Sequence, residues 1–113
     1  MMNVVRSNDM ILGFPHDVAG FALLQLILAQ KLGVKPGVYT HTIANAHVYD
    51  IHYDAAQMMI DRPATQKKIN LSLPKDAYDR AETKDVTLVE ELNEQVQAQY
   101  EPGEPIKGLR IVL

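Results

Sequence analysis

The chain has 113 residues, 47% apolar and 22% charged, with a formal net charge of −3 and no cysteine. That length supports one domain with a modest core, and the composition is globular rather than disordered or fibrous. An acidic balance without a basic run argues against general nucleic-acid binding by phosphate neutralisation. The lack of cysteine excludes a disulfide framework, a thiolate nucleophile and a thiolate metal ligand within the chain.

The opening MMNVVRSNDM shows no basic region followed by an apolar one, so no signal peptide is expected. Asn3 to Arg6 contains Val4-Val5 and suits a short strand. Ser7-Asn8-Asp9 is turn chemistry, with side chains that bond their own backbone. Pro15 suits the first position of a helix running to about Leu32, with Gly33 as its stop. The stretch from Val18 to Leu32 is apolar around most of its circumference, broken only by Gln25 and Gln30. Such a helix belongs inside a domain, covered on several sides. It is shorter than the ~20 residues of a membrane span. A cytoplasmic protein without a membrane partner is expected.

Lys35-Pro36-Gly37 is a turn. Val38 to Tyr49 is rich in β-branched and aromatic residues and predicts a strand. Alternation puts His41, Ile43, Asn45, His47 and Tyr49 on one face. Thr40, Thr42, Ala44, Ala46 and Val48 take the other, which is small and suited to packing. Asp50 to Arg62 predicts a second helix, with Asp50 at its start and Pro63 at its end. Lys67 to Leu73 alternates like a strand, Pro74 to Lys84 is charged and loop-like, and Val86 to Glu94 is an amphipathic helix. Val96 to Tyr100 suits a last strand. The apolar segment Ile106 to Leu113, after a Pro-Gly turn, is expected to dock rather than dangle. These elements suit a single domain over residues 1–113.

Each chemical candidate has a plain alternative. Arg6 and Ser7 together can bind a phosphate, as charged fork and hydroxyl donor, or be surface residues. His47 and Tyr49 share a strand face and can hold a sugar hydroxyl, or form a polar pair at the core edge. His41, His47 and His52 fit no strong zinc spacing, so no metal is expected. Asp17 can serve the start of the helix, worth ~0.3–1 kcal/mol, or touch a ligand.

Taken in order, RSND, LGFPHDVAGFALL, THTIANAHVYDIH and YEPGEPIKG resemble the C-terminal half of the thymidylate synthase family, which includes deoxycytidylate and deoxyuridylate hydroxymethylases. The family pattern is Arg-Ser-x-Asp, then Leu-Gly-x-Pro-x-Asn, an apolar helix, and a strand with Asp-x-His-x-Tyr. The match is specific to about Arg62 and looser from Lys67 onward.

The resemblance implies an α+β fold, a mixed sheet with a buried central helix, and it implies roles. Arg6 and Ser7 match the holders of the nucleotide 5′-phosphate, with Asn8 between them and Asp9. His47, Val48 and Tyr49 match the strand whose His and Tyr bind the deoxyribose 3′-hydroxyl. Asp9 matches the acid between pyrimidine and folate that supports catalysis. Leu12, Gly13 and Val112 match residues beside the folate, 5,10-methylenetetrahydrofolate being the co-substrate. A homodimer, or association with a missing N-terminal half, is implied as well. Asn45 departs from the family's usual Asp.

Asp17 departs more tellingly, because thymidylate synthases carry Asn there to read uracil. Cytosine reverses both polarities of that edge. A carboxyl suits it if either the carboxyl or the ring carries a proton, and desolvation favours the neutral acid. Family members acting on deoxycytidylate have Asp at this position, so the resemblance points to a deoxycytidylate hydroxymethylase. The alternatives are a thymidylate synthase or hydroxymethylase acting on deoxyuridylate, and a non-catalytic nucleotide-binding module. The family's cysteine nucleophile lies upstream of the Arg-Ser motif, so this chain alone is expected to be inactive.

Overall fold

The computed structural model describes residues 1–63 and 68–112. Strand β1 (Met2–Val5) pairs in parallel with β3 (Thr40–Ile43), and β2 (Asn8–Asp9) with β4 (Ala46–His47). Both ladders keep the same register offset, so they are one ribbon kinked at Arg6-Ser7 on one side and Ala44-Asn45 on the other. Ala44 N–H donates to Val5 at 3.0 Å before the kink, and Asn8 N–H donates to Asn45 at 3.0 Å after it. The single strand expected over Val38 to Tyr49 is therefore two short ones.

Helix α1 (Gly13–Lys31) joins the two sides of the ribbon. It starts two residues earlier than expected, which makes Pro15 its third residue and puts Asp17 beyond the first turn. The start is served instead by Asp9, whose carboxylate accepts from Ile11 N–H at 3.0 Å and Leu12 N–H at 3.3 Å. The helix stops in a Schellman turn. Gly33 adopts φ 68°, which costs a glycine little, and Val34 N–H returns to the Ala29 carbonyl at 2.9 Å. The two glutamines that interrupt the apolar stretch hold crossing segments. Gln25 donates to the Gly37 carbonyl at 2.9 Å and Gln30 to that of Leu73 at 3.1 Å.

After a 3₁₀ turn (Asp50–His52) come α2 (Tyr53–Asp61), α3 (Ala77–Glu82) and α4 (Val86–Gln97). The core lies where α1 meets α3 and α4: Ile27, Ala77, Leu88 and Leu92 are buried, with Leu23, Leu73 and Tyr78 around them. Helix α3 lies where a loop was expected. It is short, but Ala77 is fully buried, which anchors it without a long apolar stripe. Helix α4 runs on to Gln97, into the segment expected to be a strand over Val96 to Tyr100, and the rest of that segment is a turn. Gln95 and Gln97 favour helix, and the Val96 carbonyl still accepts from Tyr100 N–H at 2.8 Å.

Residues 68–73 form no strand and no ladder; the expected strand's first residue, Lys67, lies outside the described residues. Their partners are side chains of α4 and of the turn that follows it. Ser72 exchanges two hydrogen bonds with the Gln95 amide, at 2.8 and 3.0 Å, and Asn70 two with Gln99, at 3.0 and 2.9 Å. Residues two apart on an extended chain span about 6.6 Å, and residues four apart on a helix about 6 Å, so the two rows match.

The ribbon faces are reversed from expectation. Helix α1 covers the side of His41 and Ile43, with Phe14 edge-on to His41 at 5.5 Å. The small face, Thr40 and Thr42 beside Met2 and Val4, is exposed, the latter two at 67%. Helix α1 is central but open along Phe21 and Leu24, 37% and 42% exposed.

Candidate functional site

The ribbon register decides which motif residues meet, because Asn8 pairs with Ala46 and Asp9 with His47. Arg6 and Ser7 sit in the kink. Arg6 is exposed and forms no ion pair with the described residues, so its guanidinium is available. Ser7 Oγ accepts from Asn45 Nδ2 at 3.2 Å and lies 3.5 Å from His47 Nδ1. Asn45 thus touches the Ser7 hydroxyl directly, and its side chain tethers the two halves of the kink.

His47 and Tyr49 stand edge to face, ring centroids 5.1 Å apart, with half-buried Val48 between them in sequence. Tyr49 lines a cavity of about 300 Å³ together with Asp9, Leu12, Gly13, Ile111 and Val112. Its walls are aliphatic and aromatic around one carboxylate. Gly13 is small for a reason: a Cβ there would lie 3.0 Å from Asn8 Nδ2 and 3.6 Å from Asp9 Cβ. The tail reaches this cavity because His52 Nε2 donates to the Arg110 carbonyl at 3.0 Å. The apolar tail therefore docks, although Ile111 is 79% exposed; its last residue, Leu113, lies outside the described residues.

Asp17 faces the ribbon. Its Oδ2 accepts from Asn8 Nδ2 at 2.7 Å. Asn8 is buried, and its Oδ1 lies 3.2 Å from His41 Nε2, whose Nδ1 lies 2.7 Å from the Tyr39 hydroxyl. Asp17 also borders a pocket of about 220 Å³ along α1 with His16, Gly20, Phe21 and Leu24. Sequence reading gave no part to Tyr39, and placed His41 on the hydrogen-bonding strand face and weighed it as a metal ligand without giving it a role beside Asp17. The signal that could have found them is their two-residue spacing, which puts both on the face that β1 and β2 carry toward α1. His41, His47 and His52 do not converge, and no group of three metal-ligating side chains occurs among the described residues. No described helix is long and apolar enough to cross a membrane.

A family model, that of thymidylate synthase, matches residues 1–107. The chain belongs to the thymidylate synthase family. Among solved structures it resembles a thermostable thymidylate synthase A from Bacillus subtilis, at 38% identity and a TM-score of 0.55. That match covers 67% of this chain and 28% of the other. It also resembles the thymidylate synthase from T4 phage, at 25% identity and a TM-score of 0.64, over 98% of this chain and 40% of that one. The chain thus spans well under half the length of either thymidylate synthase. The mixed helix-and-strand architecture is shared with both. Of the residues singled out in the sequence, Asp9, Leu12, Gly13, Tyr49 and Val112 line the cavity of about 300 Å³, Asp17 borders the separate pocket along α1, and Arg6, Ser7 and His47 sit at and beside the ribbon kink.

Proposed function

We propose that this chain is the nucleotide- and folate-binding part of a cytoplasmic one-carbon transferase acting on carbon 5 of a pyrimidine nucleoside monophosphate, with deoxycytidylate hydroxymethylation as the reaction. One observation carries this reading. The four positions that the family resemblance marks for folate, Asp9, Leu12, Gly13 and Val112, line a single cavity with Tyr49, marked for the sugar. About 300 Å³ is within the range of small-molecule sites, and apolar walls with one carboxylate suit a flat, hydrogen-bonding heterocycle.

Bound folate would supply the one-carbon unit. This chain's own residues bind and orient. Arg6 and Ser7 offer charge and hydroxyl to the phosphate, and His47 and Tyr49 hydrogen-bond the sugar. Asp17 meets the base edge, and Asp9 stands at the cavity wall. The thiolate that adds to carbon 6 in this chemistry is not in the chain, which has no cysteine.

We read the chain as one domain that works with a cysteine-bearing half. Its radius of gyration is 16.1 Å, against about 13 Å for a free-standing domain of this length. The open face of Met2 and Val4 suits a second subunit, as in a dimer. The missing nucleophile favours a second reading, a nucleotide-binding module without catalysis. A thymidylate synthase or hydroxymethylase acting on deoxyuridylate is the alternative that an indifferent Asp17 would leave.

The test is a calorimetric titration of deoxycytidylate and deoxyuridylate into this chain and its Asp17→Asn variant. Deoxycytidylate should bind at least about tenfold more tightly, with the order reversed in the variant, since a mismatched polar edge leaves buried groups unpaired. Preference for deoxyuridylate in the unmutated chain rejects the cytosine reading. Turnover on adding a cysteine-bearing N-terminal half separates the transferase from the module.

A further inference from the structure

Asn8 is 5% exposed, and both ends of its amide are engaged. The direction of every hydrogen bond in its row follows from Asp17. An ionised carboxylate only accepts, so the Asn8 NH₂ faces it, at 2.7 Å. The Asn8 carbonyl then faces His41 and can only accept, so His41 Nε2 carries the proton. In the neutral ring Nδ1 is then a lone pair, and the Tyr39 hydroxyl donates to it at 2.7 Å. Each donor in the row Tyr39, His41, Asn8 thus points toward Asp17. A neutral Asp17 donating its proton to the amide would turn all three around.

We propose that Asn8, His41 and Tyr39 are positioning residues for base selection. Resting on the function proposed above, they hold Asp17 as an ionised acceptor in one fixed orientation. The Asn8 NH₂, held by His41 and Tyr39 behind it, presents a donor and no acceptor to Asp17 Oδ2. Of the two proton placements that cytosine permits, the row therefore selects protonation of the base. The ligand chemistry that fits is an amidinium edge, two adjacent N–H donors on one carboxylate. Cytosine presents it when its ring nitrogen 3 has taken a proton from solvent, with the exocyclic amine beside it. Uracil has a carbonyl in place of the amine and meets a carboxylate oxygen with no donor. Gly13 belongs to the arrangement because a side chain there would press on Asn8 Nδ2, at 3.0 Å.

Two readouts test this on the full chain. Nitrogen-15 NMR of the His41 ring reports the direction of the row without any ligand. The Nε2–H tautomer is expected; the Nδ1–H tautomer means a reversed row and overturns the proposal. Calorimetry then gives the ratio of deoxycytidylate to deoxyuridylate affinity. Losing a hydrogen bond to a charged group is worth about tenfold or more, so Asn8→Ala should lower the ratio by that factor while deoxyuridylate affinity holds. Tyr39→Phe, which leaves the buried amide in place, should lower it by a smaller factor. A ratio above one in the unmutated chain that neither variant changes overturns the positioning role and leaves the proposed function standing. An unmutated chain that binds neither nucleotide, or does not distinguish them, overturns both.

Discussion

His52 donates from Nε2 to the carbonyl oxygen of Arg110 at 3.0 Å, a contact between residues 58 apart. His52 is 1% exposed, and its Nδ1 is buried without a partner among the described residues. The ring is thus held by packing and by this bond, and Tyr49 stands edge-on to it at 6.2 Å. One buried imidazole connects Tyr49 to the tail that brings Val112 to the cavity.

Replacing His52 with Phe keeps the ring volume and removes the bond. Amides of residues 107–112 should then exchange much faster, and global stability should fall by about 1 kcal/mol, the net worth of one hydrogen bond. Hydrogen exchange read by mass spectrometry checks the first, and urea unfolding the second. Unchanged exchange in the tail would show that Ile106 and Leu109, both half-buried, hold it without His52.

Much of this arrangement was legible in the residues. Gly33 and the apolar run located α1 to within two residues, and the motif order brought the ribbon and the tail to one place. What was not legible depended on partners far along the chain. Asp17 looks like a helix-start acid until Asp9 proves to bond Ile11 and Leu12 N–H itself. The strand expected over Lys67 to Leu73 does not form over residues 68–73, where two glutamine amides stand in place of a neighbouring strand. The ribbon faces were misread because small apolar residues suit packing only if something covers them, and α1 lies on the side of His41.

Arg80 ties α3 to α4. It donates to Asp85 at 2.8 Å, to both oxygens of Glu91 at 3.0 and 2.8 Å, and to the Thr87 hydroxyl at 2.7 Å. The Thr87 hydroxyl, with Arg80 and the Thr87 N–H, lowers the Asp85 carboxyl from its ordinary 3.8 to about 2; Arg80 also lowers Glu91. A carboxyl lowered on folding contributes stability above its unfolded value and loses it as pH falls through the folded one. Stability should therefore drop between pH 3.8 and about 2, and Arg80→Met should flatten that drop. Urea midpoints measured from pH 5 to pH 2 for both proteins check this. Equal slopes would mean that solvent screens the cluster fully.

Lys84 ends α3 at φ 57°, the left-handed region, where a Cβ is strained. Its N–H still closes the turn onto the Ala81 carbonyl at 3.1 Å. Lys84→Gly should raise stability by up to about 1 kcal/mol, the relief of strain exceeding the added freedom of the unfolded chain. Lys84→Val should lower it, since β-branched side chains tolerate this region least. Thermal unfolding of the pair decides; the opposite order would show that contacts of the lysine side chain outweigh its backbone.

The amide exchange between α4 and residues 70–72 makes a sharper prediction. Gln95 both accepts from Ser72 N–H and donates to Ser72 C=O, which only an amide, or an acid carrying its proton, can do. Gln95→Ala should cost about 1 kcal/mol for the two exposed bonds. Gln95→Glu keeps the shape but at pH 7 sets a carboxylate against the Ser72 carbonyl, so it should be at least as damaging. That contact raises the new carboxyl above its unfolded value of about 4.3. A carboxyl raised on folding gains stability as pH falls through its folded value, so Gln95→Glu should recover between pH 6 and 4 while Gln95→Ala does not. Urea unfolding of both variants across that range measures the difference. Parallel pH profiles would mean that residues 70–72 are held by Gln30 on Leu73 and by the core, with the glutamine row contributing shape alone.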